Sequence, residues 1–272
     1  MRSPAVAGQF YEADPTALQR QIEQCYLHRL GPRELPQLTR DGPRKIKGLV
    51  VPHAGYVYSG PVAAHAYAAL AADGVPGELI IFGPNHTGLG AAMAVGTEDW
   101  STPLGPVGYD AELGRKILGG EVDPDMVAHR FEHSIEVQLP FLRHLGADFR
   151  FVPICMGLQD YDSATALGKR VRNAIRGSDV LVIASTDFSH YIPKDLAARK
   201  DRMAIDKILA FDVKGFDETV RKHDISMCGY GPVMAMLTAV ESGTPEFLKY
   251  ASSGDVAAMA EVVGYGSIAV RR

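Results

Sequence analysis

Three short apolar runs in this chain stop abruptly on polar, reactive residues. Gly48-Leu49-Val50-Val51 runs into Pro52-His53, and Glu78-Leu79-Ile80-Ile81-Phe82 runs into Gly83-Pro84-Asn85-His86. The third, Val180 to Ala184, runs into Ser185-Thr186-Asp187, with His190 close behind. Phe149 to Ile154 is a fourth run of the same kind. Such runs are too short for helices and apolar at successive positions, which marks strands buried on both faces. Helical patterns separate them: one after Ser59, a candidate N-cap, with Val62, Ala66, Ala69 and Leu70 inward, and others near 110–118, 132–145 and 162–176. Buried strands alternating with helices describe an α/β fold, a mostly parallel or mixed central sheet with helices on both faces. Ligands bind such sheets beyond the carboxyl ends of the strands, where His53, His86, Asp187 and His190 gather.

The rest of the chain fits one domain spanning residues 1–272. Arg2 to Tyr11 reads as an extended arm, and Asp14-Pro15 as the cap and first position of a helix carrying Leu18, Ile22, Tyr26 and Leu30 on one face. Residues 31–45 are polar with three prolines, a surface loop, and the basic cluster Arg40, Arg44, Lys45 and Lys47 is read as a solvated coat there. The last third carries helices near 193–210, 214–222 and 231–241, then strands near 246–252 and 262–270. A formal charge of −4 and a pI near 6.1 argue against nucleic acid or an anionic membrane as partner. The three cysteines show no pairing pattern, which fits a reducing compartment. With no secretion-signal pattern and no run of 18 apolar residues, the expectation is a cytoplasmic protein that crosses no membrane.

His53 and His86, on loops leaving neighbouring strands, are a natural start to a site for zinc, iron or copper. Cys228, followed by two glycines and a helix expected to start near Gly231, is read as exposed and inclined to thiolate, unlike Cys25 and Cys155, which read as buried small hydrophobes. Asp187 and His190 supply a carboxylate and an imidazole for orienting ligands or moving protons. His129 to His133 spells H-x-x-E-H, the inverted zinc-peptidase motif. That motif must lie inside one helix, and here the helix is expected to begin at Glu132 or His133, leaving His129 outside and His133 a pocket residue.

Taken together, the segments Pro4-Ala5-Val6-Ala7-Gly8-Gln9-Phe10-Tyr11, Pro52-His53-Ala54-Gly55-Tyr56, Gly83-Pro84-Asn85-His86, Trp100-Ser101-Thr102-Pro103-Leu104-Gly105, Glu132 through Pro140, Ser185 through Tyr191, and Cys228-Gly229 resemble the Memo family over nearly the whole chain. The branch looks like the Memo component of the prokaryotic AmmeMemoRadiSam set, which implies a functional link to an Ammecr-type and a radical-SAM protein. The family is similar in fold to class III extradiol dioxygenases, which hold iron with two histidines and a glutamate. That resemblance implies His53 and His86 as metal ligands and Cys228 in the carboxylate's place. It implies His190 as acid/base and His133 as a further active-site histidine. A thiolate there moves metal preference towards Cu(I), zinc or thiolate-tolerant iron and undermines transfer of ring cleavage.

Three readings follow. The first is an iron- or copper-dependent redox protein acting on an unidentified small molecule, with metal ligands His53, His86 and Cys228, and with His190, His133 and Asp187 as catalytic residues; no organic cofactor is expected. The second is a peptide- or protein-binding adaptor using the same pocket, rimmed by Tyr56, Tyr58 and Trp100. The third is a thiol enzyme built on Cys228 with a histidine base.

Overall fold

The computed structural model describes residues 1–272. In chain order the main elements are α1 (Pro15–Leu27), β1 (Ile46–Val51), α2 (Tyr56–Asp73), β2 (Glu78–Pro84), β3 (Met93–Val95), β4 (Trp100–Thr102) and β5 (Gly105–Tyr109). Then come α3 (Ala111–Ile117), β6 (Asp123–Pro124), α4 (Gln138–His144), β7 (Arg150–Met156), α5 (Tyr161–Ala174), β8 (Val180–Ser185) and β9 (His190–Ile192). The chain closes with α6 (Lys194–Leu209), α7 (Val213–Lys222), α8 (Tyr230–Val240), β10 (Thr244–Ser252), α9 (Ser253–Val256) and β11 (Val262–Arg271).

The strands form one mixed sheet in the order β10-β11-β1-β8-β2-β7-β3-β6. Its centre, β1-β8-β2-β7, is parallel, while β11 joins β1 antiparallel and β3 joins β7 antiparallel. Successive apolar residues alternate between two cores: Val50, Ile80, Phe82, Val152 and Val182 face one, and Leu49, Val51, Leu79, Ile81 and Ile183 face the other. The two cores hold 34 and 33 buried residues, so neither face is the solvent side, and this is why the strands read as continuous apolar runs. Helices α1, α2 and α4 cover one face, and α3, α5, α6, α7 and α8 the other.

The first cap is as expected: Asp14 Oδ1 accepts from the Ala17 amide at 2.9 Å. Ser59 is not a cap. The helix starts three residues earlier at Tyr56, and the Ser59 hydroxyl instead donates back to the Ala54 carbonyl. The helix expected over 132–145 shortens to α4, because the amides of His133 and Ser134 donate to the Glu132 carboxylate and leave the helical ladder. The H-x-x-E-H pattern is therefore not helical, and His129 is buried with Nε2 on the Ala94 carbonyl. Strands β3 to β6 and β9 are two to five residues long, too short to carry a periodic signal. No helix is long and apolar enough to cross a membrane.

Candidate metal centre

The parallel register of β1 and β8 sets Val51 beside Ser185, so the two strand exits share one point in space. His53 leaves β1 there. Its amide donates to Asp187 Oδ1 at 2.8 Å, and its Nδ1 lies 2.9 Å from Ser185 Oγ. The surrounding hydrogen bonds decide its tautomer. Gln138 accepts from the Tyr67 hydroxyl through Oε1, so its two N–H groups go to the Pro52 carbonyl and to Ser185 Oγ. The one Ser185 proton goes to the Ser134 carbonyl at 2.6 Å. Ser185 Oγ can then only accept from His53, so Nδ1 carries the proton and Nε2 presents a lone pair. Burial first, then the neighbouring histidines, hold His53 well below the usual imidazole range.

His86 reaches the same space from β2. Its backbone N–H donates to Glu132 Oε2 at 2.6 Å and its Nδ1–H to Oε1 at 2.9 Å. Glu132 Oε1 also lies 3.6 Å from His133 Nδ1, too far for a hydrogen bond. Burial alone would raise the Glu132 carboxyl, but the His86 hydrogen bond and charge, with His133 and the Ser134 amide, bring it down to about 2. The same pairing outweighs burial at His86 and raises it above the usual imidazole value. His133 stacks on His86 at 4.6 Å and packs on Phe10 at 4.6 Å; burial, then His86, lower it to about 4.

Cys228 closes the triangle from the loop before α8, its Sγ 3.3 Å from His53 Nε2. Gly229 permits this approach, since a Cβ there would meet the Ser185 carbonyl oxygen and the Thr186 Cβ, both at 2.6 Å. The Asp187 amide donates to Sγ at 3.2 Å. Cys228 is half-buried, unlike the buried Cys25 and Cys155, and it is the expected inclination to thiolate that is corrected here. Burial, and then the Asp187 carboxylate, push the thiol far above its usual value, and the start of α8 at Tyr230 does not offset this. Cys25 and Cys155 are buried and free, as expected.

The donor atoms of His53, His86 and Cys228 all lie within 4.8 Å of one another. Two imidazoles with their outer nitrogens occupied and inner nitrogens bare, facing one sulfur, suit a borderline or soft metal such as iron, copper or zinc. Asp187 is buried beside them, raised by burial to about 6, with the His53 amide hydrogen bond and the His190 and His86 charges opposing that rise. His190 accepts a different anchor: its amide donates to Ser226 Oγ and its Nδ1–H to the Ser226 carbonyl, each at 2.8 Å, leaving Nε2 bare. It opens β9, three residues after Asp187.

His53, His86, Cys228, Asp187 and His133 therefore converge, while the proposed aromatic rim does not. Tyr56 and Trp100 are 1% and 0% exposed and pack the interior, Tyr56 donating to the Val137 carbonyl; only Tyr58 reaches solvent. The residues that sequence reasoning missed are Glu132, Ser185 and Gln138, which orient the two histidines. Ser185 carried a signal as the polar residue that ends the apolar run of β8, whereas Glu132 and Gln138 lie in a mostly polar stretch, Glu132-His133-Ser134-Ile135-Glu136-Val137-Gln138, that sets neither apart. A cavity of about 960 Å³ between α3 and α5 contains none of these residues.

A family model described as Memo-like protein matches residues 2–269. A MEMO1 family protein of Methanopyrus kandleri is 50% identical, over 100% of this chain and 99% of its own length. One from Methanothermobacter thermautotrophicus is 47% identical over 98% and 99%, and one from Sulfolobus acidocaldarius 45% identical over 98% of each. Among solved structures, an uncharacterized protein of Escherichia coli K12 superimposes with a TM-score of 0.55 at 13% identity, covering 83% of this chain and 100% of that one, a likeness of fold alone.

Proposed function

The chain belongs to the Memo family, and from that premise we propose that it is a metal-dependent redox protein in which His53, His86 and Cys228 hold one iron or copper ion. The observation that carries this reading is the convergence of three donor atoms within 4.8 Å, two of them on imidazoles whose other nitrogen is already committed. Such an ion supplies one-electron chemistry and Lewis acidity towards a small oxygen-bearing substrate. The chain's own residues do the rest. Ser185 and Glu132 keep the histidines turned inward. Cys228 gives up its proton on metal uptake. The Asp187 carboxylate holds the His53 backbone while its amide points at the sulfur. His190, anchored through Nδ1, offers Nε2 for taking or giving a proton, and His133 lines the adjoining wall.

A thiolate where the similar dioxygenases carry a carboxylate separates this donor set from theirs, so ring cleavage is not part of the proposal. The occupant of the open side is a small molecule or a peptide. A functional link to Ammecr-type and radical-SAM proteins belongs to the same reading.

Anaerobic metal analysis of the purified protein beside Cys228→Ala and His86→Ala tests it. Near-stoichiometric iron or copper in the wild type, lost in both variants, is the expected result. A wild type that refuses added iron and copper would sink the redox reading.

A further inference from the structure

Arg2, far from any metal-ligating residue in sequence, is 6% exposed. Its Nε donates to the His129 carbonyl at 2.6 Å, one terminal nitrogen pairs with Glu136 Oε2 at 2.7 Å, and the other donates to the Glu132 carbonyl at 2.7 Å. The guanidinium lies 4.1 Å from the Trp100 ring centroid. Glu136 accepts in turn from the amides of Ala5 and Val6 and from the Tyr11 hydroxyl, at 2.8, 3.0 and 2.7 Å. The extended arm is thus bound to the 129–136 loop through one buried ion pair.

We infer that Arg2 is a positioning residue for the candidate metal centre, acting through that loop. The inference rests on the metal reading above. Between Pro124 and Gln138 no helix or strand fixes the backbone, yet this stretch must aim the Glu132 carboxylate at His86 to the accuracy of a hydrogen bond. Arg2 grips the backbone on both sides of that turn, at the carbonyls of residues 129 and 132, while its charge is matched by Glu136. Only a planar fork reaches two carbonyls and a carboxylate together; a lysine ammonium would match the charge and lose the fork. The arm held by the same pair also delivers Phe10 to the face of His133. A buried ion pair is a weak source of net stability, since apolar residues of similar volume often replace one without loss. Precise placement of the Glu132 turn is the gain that stability does not account for.

The test compares full-length wild type with Arg2→Met and Arg2→Lys by two readouts. The first is Co(II) titration followed by the thiolate charge-transfer and ligand-field absorption bands. The second is hydrogen exchange, without metal, at the amides of His86, His133 and Ser134, all of which donate to the Glu132 carboxylate. In Arg2→Met, exchange at these amides rises at least about tenfold while the Val182 amide in the sheet centre is unmoved. Cobalt affinity falls about 10–100-fold, the usual scale for losing an outer-shell partner, with the band changes of Glu132→Gln, and Arg2→Lys fails to restore it. Wild-type cobalt spectra and wild-type exchange at the three amides in a folded Arg2→Met would overturn the proposal. Should Arg2→Met not fold, Arg2→Lys decides on the same criteria. A wild type that takes up no cobalt defeats the metal reading, whereas the exchange measurement still decides whether Arg2 holds the turn.

Discussion

The two histidines of the candidate centre present the same bare nitrogen to the same sulfur, yet opposite environments hold them there. His53 is 1% exposed; its ring is fixed by a neutral group, the Ser185 hydroxyl backed by the Gln138 amide, while only its backbone amide meets a carboxylate, that of Asp187. His86 has a third of its side chain in solvent, 33%, and is fixed by an ionised carboxylate. On the buried side, a charged partner would itself need compensation, and a closed network in which every donor has one acceptor avoids that cost. On the open side, water competes for a weak partner, so a charge-assisted bond is needed to hold the ring. The acceptor facing each ring's Nδ1–H is set by what the protein can satisfy at that depth.

Substitutions that remove one anchor at a time sharpen this contrast. Glu132→Gln has the largest expected effect, because it removes the one charge that holds His86 and also leaves the amides of His86, His133 and Ser134 with a weaker acceptor. Metal affinity should fall about 100-fold, the upper end for loss of an outer-shell partner; equality with wild type in a cobalt or iron titration would mean that the charge plays no part. Ser185→Ala should lower affinity about tenfold, the lower end of that range. It should also destabilise the fold by about 1–3 kcal/mol, since buried donors on His53 and Gln138 lose their acceptor. Urea denaturation of the metal-free protein reads that cost, and no change there would refute the tautomer assigned to His53.

The smallest effect concerns Asp201, which holds the loop leading to His190. It accepts from the Ser189 amide and hydroxyl and from the Tyr250 hydroxyl, and burial, opposed by those bonds, raises its carboxyl above the usual value. A carboxyl raised on folding favours the native state below its unfolded pKa of about 3.9, and that contribution disappears as pH rises through the folded value. Wild type should therefore gain stability relative to Asp201→Asn as pH falls from 7 through 4. A stability difference that is flat across this window in denaturant titrations would contradict the assignment.

The strands of the sheet centre and the edge at which the chemistry collects were legible because they depend on local apolar runs. Burial of a four- to seven-residue run is a property of the run itself. The helix over 132–145 misled for the converse reason. Its residues have helical spacing from Ile135 to Leu142, but Glu132 captures the first two amides for a site 46 residues away. Cys228 was read as an exposed thiolate because the two glycines after it suggest exposure, whereas it is half-buried against the Asp187 and His53 loops. The roles of Ser185, Gln138 and Arg2 were invisible in the same way, each depending on a partner brought in by the fold.

By itself, then, the amino-acid order determined the α/β class, the parallel centre and the strand exits that carry His53, His86 and Asp187. Only the tertiary structure decided that Cys228, 175 positions from His53, lies 3.3 Å from its Nε2. It also decided which nitrogen of each imidazole is free, and that an arginine 130 positions from Glu132 grips its carbonyl. Apolar burial is non-directional and follows from composition along a short segment, whereas a buried polar atom needs a partner at hydrogen-bond distance and angle, which only the folded chain can supply.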